Sequence, residues 1–184
     1  MHFDEVGGVE RRSAGRINSK SANRLHEFPM TASEHASRIG REEYDEVAPA
    51  VVAALRALGK AVDESGLEKP LTELIKVRAS QINGCAFCIQ YHLNMARKLG
   101  VEAPKLDLLA AWREVGVYTA RERAALAWTE ALTRMDRHSV SDATYAQVQA
   151  QFTRSEIAFL TASVGAINAW NRIAGALHFE PPVP

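Results

Sequence analysis

From about Arg41 onward, apolar residues recur at three- and four-residue steps, and no segment alternates apolar with polar residues over the length of a strand. This pattern restricts the chain to an all-α fold. Val47, Val51, Leu55, Leu58 and Val62 mark a first amphipathic helix, which Gly66 and Pro70 end. Pro70 suits the first turn of a second helix carrying Leu71, Leu74, Ile75, Arg78 and Ile82. Asn83-Gly84 interrupts that helix, and a third runs from about Cys85 to Leu99, stopping at Gly100. Pro104 opens a short fourth through Trp112. Thr119 with Glu122, and Thr153 with Glu156, spell capping boxes, and Ser141 suits a cap between them. The last helix presents Ile157, Leu160, Val164, Ile167 and Ile173 to a core. Six to seven helices are expected.

Residues 1–29 share no such period. Gly7-Gly8, Arg11-Arg12-Ser13 and the polar stretch to Asn23 predict a disordered extension, with residues 30–184 as one helical domain and Met30 as a candidate native start. Acidic Asp4, Glu5, Glu10 and Glu27 argue against a transit peptide. Lys plus Arg and Asp plus Glu both total 22, so the basic excess of a nucleic-acid surface is missing. No apolar run approaches the roughly 18 residues of a membrane span, and no uninterrupted apolar block marks a secretory signal. The expectation is a cytoplasmic protein that binds neither nucleic acid nor membrane.

The only two cysteines are Cys85 and Cys88. A secreted disulfide scaffold scatters more of them along its chain, whereas a close pair points to redox or metal chemistry. On a helix, Cys85, Cys88 and His92 fall within about 60° of one another. Ala96 and Leu99 continue that stripe, and Gln90, Asn94, Arg97 and Lys98 lie opposite. Two thiols and an imidazole therefore face inward together. Cys85 falls in the first turn, where free amides and the helix dipole favour a thiolate. His92, four residues beyond Cys88, is placed to exchange a proton with it. A thiolate attacks a peroxide oxygen to give a sulfenic acid, and a second thiol then closes a disulfide. Cys88 suits the attack, because His92 serves as its base. Cys85 suits the resolving step and contact with an external reductant.

Other readings stay open. Two thiolates, His92 and Glu73 would complete a four-ligand zinc site. Two inert buried cysteines are a further alternative, as is a redox sensor that binds a partner and turns over slowly. A haem attachment is excluded because Ile89, not histidine, follows Cys88. A thioredoxin sets its Cys-x-x-Cys after a strand, which this chain lacks. Glu73 lies off the Leu71, Leu74 and Ile75 stripe, so periodicity assigns it to a solvated face. His35, His138 and His178 carry no pattern that makes them site residues, and Trp112, Trp128 and Trp170 suit core or subunit packing.

Glu73, Cys85-x-x-Cys88 and His92 together resemble the core motif of the alkylhydroperoxidase D-like (AhpD-like) proteins, in the carboxymuconolactone decarboxylase superfamily. The match is close from about Pro70 to Gly100, and Asn168-Ala-Trp170-Asn171-Arg172 is similar to the last helix of family members. The resemblance implies an all-α fold, a homotrimer or hexamer, and a thiol-dependent hydroperoxide reductase. It implies that Cys88 is peroxidatic, that Cys85 is its partner, and that Glu73 and His92 form a proton relay. It implies no bound cofactor and an external thiol or lipoyl-type reductant. Peroxidases of the family carry a second histidine inside the Cys-x-x-Cys, where this chain has Phe87. The true decarboxylases lack the paired cysteines, so the resemblance does not extend to that reaction.

Overall fold

The computed structural model describes residues 36–136 and 140–183. The expectations for residues 1–29, His35 and His138 fall outside these. The described residues form α1 (Arg41–Val47), α2 (Pro49–Asp63), α3 (Lys69–Asn83), α4 (Ala86–Lys98), α5 (Ala103–Asp107), a 3-10 helix (Leu109–Glu114), α6 (Ala120–Arg134), α7 (Asp142–Gln149) and α8 (Arg154–Leu177). No strand occurs among them. None of their helices is long and apolar enough to cross a membrane.

The fold is all-α, as expected, but the count exceeds six to seven for two local reasons. The first predicted helix breaks at Ala48 (φ −130°, ψ 47°). Pro49 lacks an N–H and pushes the residue before it out of the helical region, so it starts α2 afresh. The predicted fourth helix breaks at Leu108 (φ −98°, ψ 9°) and tightens into the 3-10 turn. Residues three apart eclipse in that turn, which buries both Leu109 and Trp112. The capping boxes at Thr119–Glu122 and Thr153–Glu156 are formed, and Ser141 caps α7.

Helix α3 is the centre of the domain, packing against α4, α6 and α8. It buries residues around most of its circumference: Leu71, Thr72, Leu74, Ile75, Val77, Ala79 and Ser80, and Glu73 with them. The main core joins α3 to Leu126 and Trp128 of α6 and Leu160 and Val164 of α8. A smaller cluster contains Cys85 and Cys88, with Ile167 and Ala174 of α8 and Phe179 beyond its end. The stripe expected on the first helix is corrected. On α2, which packs on α8, Val52 and Val62 are buried and Leu55 partly so, whereas Val51 and Leu58 are exposed; the break at Ala48 sets Val47, also exposed, on a separate helix. On the last helix Ile157, Leu160, Val164 and Ile167 are buried, and Ile173 only partly.

A second buried carboxylate holds α3, the 3-10 helix and α6 together. Glu130 accepts from Trp112 Nε1 at 2.9 Å and from Arg78 Nε at 2.7 Å, and also pairs with Arg113 and Arg134. Burial pushes its carboxyl up, but the Trp112, Arg113 and Arg78 hydrogen bonds outweigh that and hold it at about 2. Glu130→Ala leaves the partly buried Arg78 guanidinium without its carboxylate partner. It is expected to lower unfolding free energy by about 3–5 kcal/mol, read from urea melts.

Candidate active site

The site is built on the turn between α3 and α4. Gly84 ends α3 in the left-handed conformation (φ +67°), which only glycine adopts without strain. The Cys85 N–H then bonds the Ser80 carbonyl at 3.1 Å, closing the turn. A side-chain network fixes this turn to α8. Asn83 Nδ2 donates to Asn171 Oδ1 at 2.8 Å and to Asn168 Oδ1 at 2.9 Å, and Asn171 Nδ2 donates to Ser80 Oγ at 2.9 Å. These contacts connect segments about 90 residues apart in sequence, so no local pattern announced them.

Cys85 is the N-cap of α4, one position before the first turn. Its Sγ accepts the Cys88 N–H at 3.3 Å, a position at the helix start that favours negative charge on that sulfur once the pair is reduced. Cys85 and Cys88 are joined as a disulfide, with Cα atoms 5.4 Å apart, and both residues are 3% exposed. One turn on, the His92 ring lines a cavity of about 230 Å³ together with Cys88.

Glu73 is not on a solvated face. It is 2% exposed, because α3 lies at the domain centre and has no polar side to offer. Glu73 Oε2 lies 2.6 Å from His92 Nδ1, and Oε1 accepts from Lys76 Nζ at 2.9 Å. Burial pushes the Glu73 carboxyl up, but hydrogen bonds from His92 and Lys76 and their charge overcome this and hold it at about 2. Burial pulls the His92 imidazole below its ordinary value, against the opposing pull of Glu73. Glu73 is held as a carboxylate, so His92 Nδ1–H donates to it, which leaves Nε2 able to accept a proton.

Of the four residues singled out from the sequence, Cys85 and Cys88 are bonded at the start of α4, Cys88 and His92 line one cavity, and Glu73 reaches His92 from the middle of α3. Lys76 was missed there, although its i, i+3 spacing from Glu73 is a readable helical ion pair. Arg41, Arg56 and Trp170 also line the Cys88 cavity. Asp45 bridges the two arginines, and the Arg41 guanidinium lies 5.4 Å from the Trp170 ring centroid. Among the described residues, no group of three or more His, Cys, Asp or Glu side chains is arranged to hold a metal ion.

An all-helical domain with a Cys-x-x-Cys at a helix start and a His–Glu pair beside it defines an AhpD-like protein. The profile of the Carboxymuconolactone decarboxylase family matches residues 49–131, the segment from α2 through most of α6. The chain belongs to that family, as an AhpD-like member. The uncharacterized protein YdfG of Bacillus subtilis is 36% identical over 137 residues, covering 74% of this chain and 93% of YdfG. A crystal structure from Agrobacterium tumefaciens superposes with a TM-score of 0.76 at 40% identity, covering 81% of this chain and all of that one. That protein is of unknown function and described as a candidate antioxidant defence protein AhpD. An uncharacterized peroxidase-related protein from Silicibacter superposes at a TM-score of 0.64 with 26% identity, over 71% of this chain and 70% of that one.

Proposed function

We propose that this protein is a thiol-dependent hydroperoxide reductase that cycles through a Cys85–Cys88 disulfide. The observation that carries the reading is the shared cavity of Cys88 and His92, with the His92 ring tied to buried Glu73. In the reduced protein, His92 Nε2 takes the Cys88 proton, and Glu73 stabilises the imidazolium that forms. The Cys88 thiolate attacks the distal peroxide oxygen and the O–O bond breaks. The departing alkoxide takes the proton back from His92 and leaves as an alcohol. Cys88 is left as a sulfenic acid. The Cys85 thiolate, held by the Cys88 N–H, attacks the Cys88 sulfur, and hydroxide leaves as water once protonated. Two thiols and one hydroperoxide thus give a disulfide, an alcohol and water. An external thiol or lipoyl-type dithiol restores the pair, and no bound cofactor enters the cycle.

A homo-oligomer, trimer or hexamer, accompanies this reading. The exposed apolar side chains Val47 on α1 and Val51 and Leu58 on α2 support it, as surface that a second copy would cover.

Thiol counting tests the chemistry directly. One equivalent of hydroperoxide is expected to consume both thiols of the reduced chain, and peptide mapping to recover the Cys85–Cys88 link. Two thiols persisting after that equivalent would overturn the reading.

A further inference from the structure

The two cysteines of the pair line different cavities. Cys88 faces the cavity of about 230 Å³ that also holds His92, Trp170 and Gly59. Cys85 faces another of about 480 Å³, between the Gly84 turn and the end of α8, bordered by Gly175, His178 and Glu180. Phe87 and Ala174 line both. The Phe87 ring meets Phe179 edge-on at 5.4 Å and stacks on Tyr91 at 6.0 Å. Phe179 is 4% exposed, and its N–H bonds the Ala174 carbonyl at 3.0 Å. The tail beyond it is tied to α4 by the Asn94 side chain, which donates to the Pro182 carbonyl at 3.0 Å. Phe87 is therefore a packed wall between the two cavities.

Thiol–disulfide exchange makes this division consequential. The attacking thiolate must approach one sulfur in line with the bond it breaks, from the side away from the leaving sulfur. Attack on Cys85 comes from the Cys85 cavity, and Cys88 then departs into the cavity where His92 can protonate it. Attack on Cys88 would need the smaller cavity and would expel Cys85, away from that ring.

We propose that the pair is served from two sides: hydroperoxide reaches Cys88 through the His92 cavity, and a dithiol reductant reaches Cys85 through the cavity beneath the C-terminal tail, with Phe87 separating them. The inference rests on the disulfide cycle proposed above. In the reductive step a thiolate of the dithiol bonds Cys85 Sγ, the Cys85–Cys88 bond breaks, and Cys88 takes a proton. The second thiolate of the reductant then attacks its own mixed-disulfide sulfur and expels Cys85, whose charge the Cys88 N–H receives. The reductant leaves as a cyclic disulfide, and two electrons have passed to the protein.

Two glycines allow the cavities to be plugged one at a time. Gly59 lines the Cys88 cavity and Gly175 the Cys85 cavity. Both are helical, and a Cβ added at either meets nothing within 4 Å. The half-reactions are followed separately by stopped-flow fluorescence: oxidation of reduced protein by tert-butyl hydroperoxide, and reduction of oxidised protein by dihydrolipoamide. Gly175→Phe is expected to slow reduction at least about tenfold and leave oxidation within about twofold, as access-limited exchange requires. Gly59→Phe is expected to do the reverse, and Gly→Ala at either position to change neither rate. Phe87→Ala joins the cavities and is expected to restore reduction in the Gly175→Phe background. Unchanged reduction in Gly175→Phe, or both half-reactions slowed by each plug, would overturn the two-sided assignment. Oxidising the protein with diamide instead of hydroperoxide isolates the reductive measurement. A failure of the peroxidase reading then leaves the test of the Cys85 entrance intact.

Discussion

Cys88→Ser is expected to abolish hydroperoxide turnover, lowering the rate by at least about a thousandfold, while leaving the fold unchanged. The effect is large because a serine hydroxyl does not ionise in the range that His92 can command, so no nucleophile remains in the cavity. The structural effect is small because the variant exchanges one atom of similar size at a site where the reduced wild type is also uncrosslinked. Cys85→Ser separates the two roles. It retains Cys88 and His92, so it should react with one equivalent of peroxide and stop at the sulfenic acid, which dimedone traps. Steady-state turnover with a dithiol should be lost in both variants, but the first oxidation in Cys88→Ser alone. If Cys85→Ser loses the first oxidation and Cys88→Ser keeps it, the assignment of attacking and resolving sulfur is reversed. Wild-type rates no faster than free cysteine would instead favour a redox sensor.

The parts of this site that the sequence discloses are those lying on one helix. Cys88 and His92 share a stripe because 3.6-residue periodicity operates within α4, and the structure places both on one cavity, whereas Cys85, the extended N-cap, falls outside that period and lines another. Capping boxes are equally local, and those at Thr119 and Thr153 form as spelled. Glu73 shows where the method stops. A helical wheel separates inside from outside only for a helix with an outside, and α3 is enclosed by its neighbours. The resemblance to known proteins identified Glu73 where periodicity misplaced it. The Asn83–Asn171–Ser80 network and the Phe87–Phe179 wall depend on how α8 and the tail return to the α3–α4 turn. That return is set by tertiary packing and leaves no periodic trace. Pro49 is legible as a helix start, but the apolar stripe running through it masks the break that its missing N–H and ring favour.

The His92–Glu73 pair leads to the second large effect. Glu73→Gln preserves size and one hydrogen-bond acceptor but removes the charge that stabilises an imidazolium beside Cys88. Oxidation by hydroperoxide is expected to slow by about a hundredfold, the lower range for losing general acid–base assistance. Glu73 does not line the Cys88 cavity, so it acts as a positioning residue, and the pH profile distinguishes this role from a packing defect. In the wild type the carboxylate opposes the depression that burial imposes on His92. Without it, the imidazole falls further below its ordinary value. The rising limb governed by His92 should then move to lower pH while the plateau drops. A variant merely loosened in packing would keep the limb in place. Because Glu73 works through the ring, His92→Ala should cost at least as much alone, and adding Glu73→Gln to it should cost little more. Independent, additive losses in the double variant would show that the carboxylate does not act through His92. In that case the 2.6 Å contact is a fold-stabilising hydrogen bond, and the base that activates Cys88 lies elsewhere in the cavity.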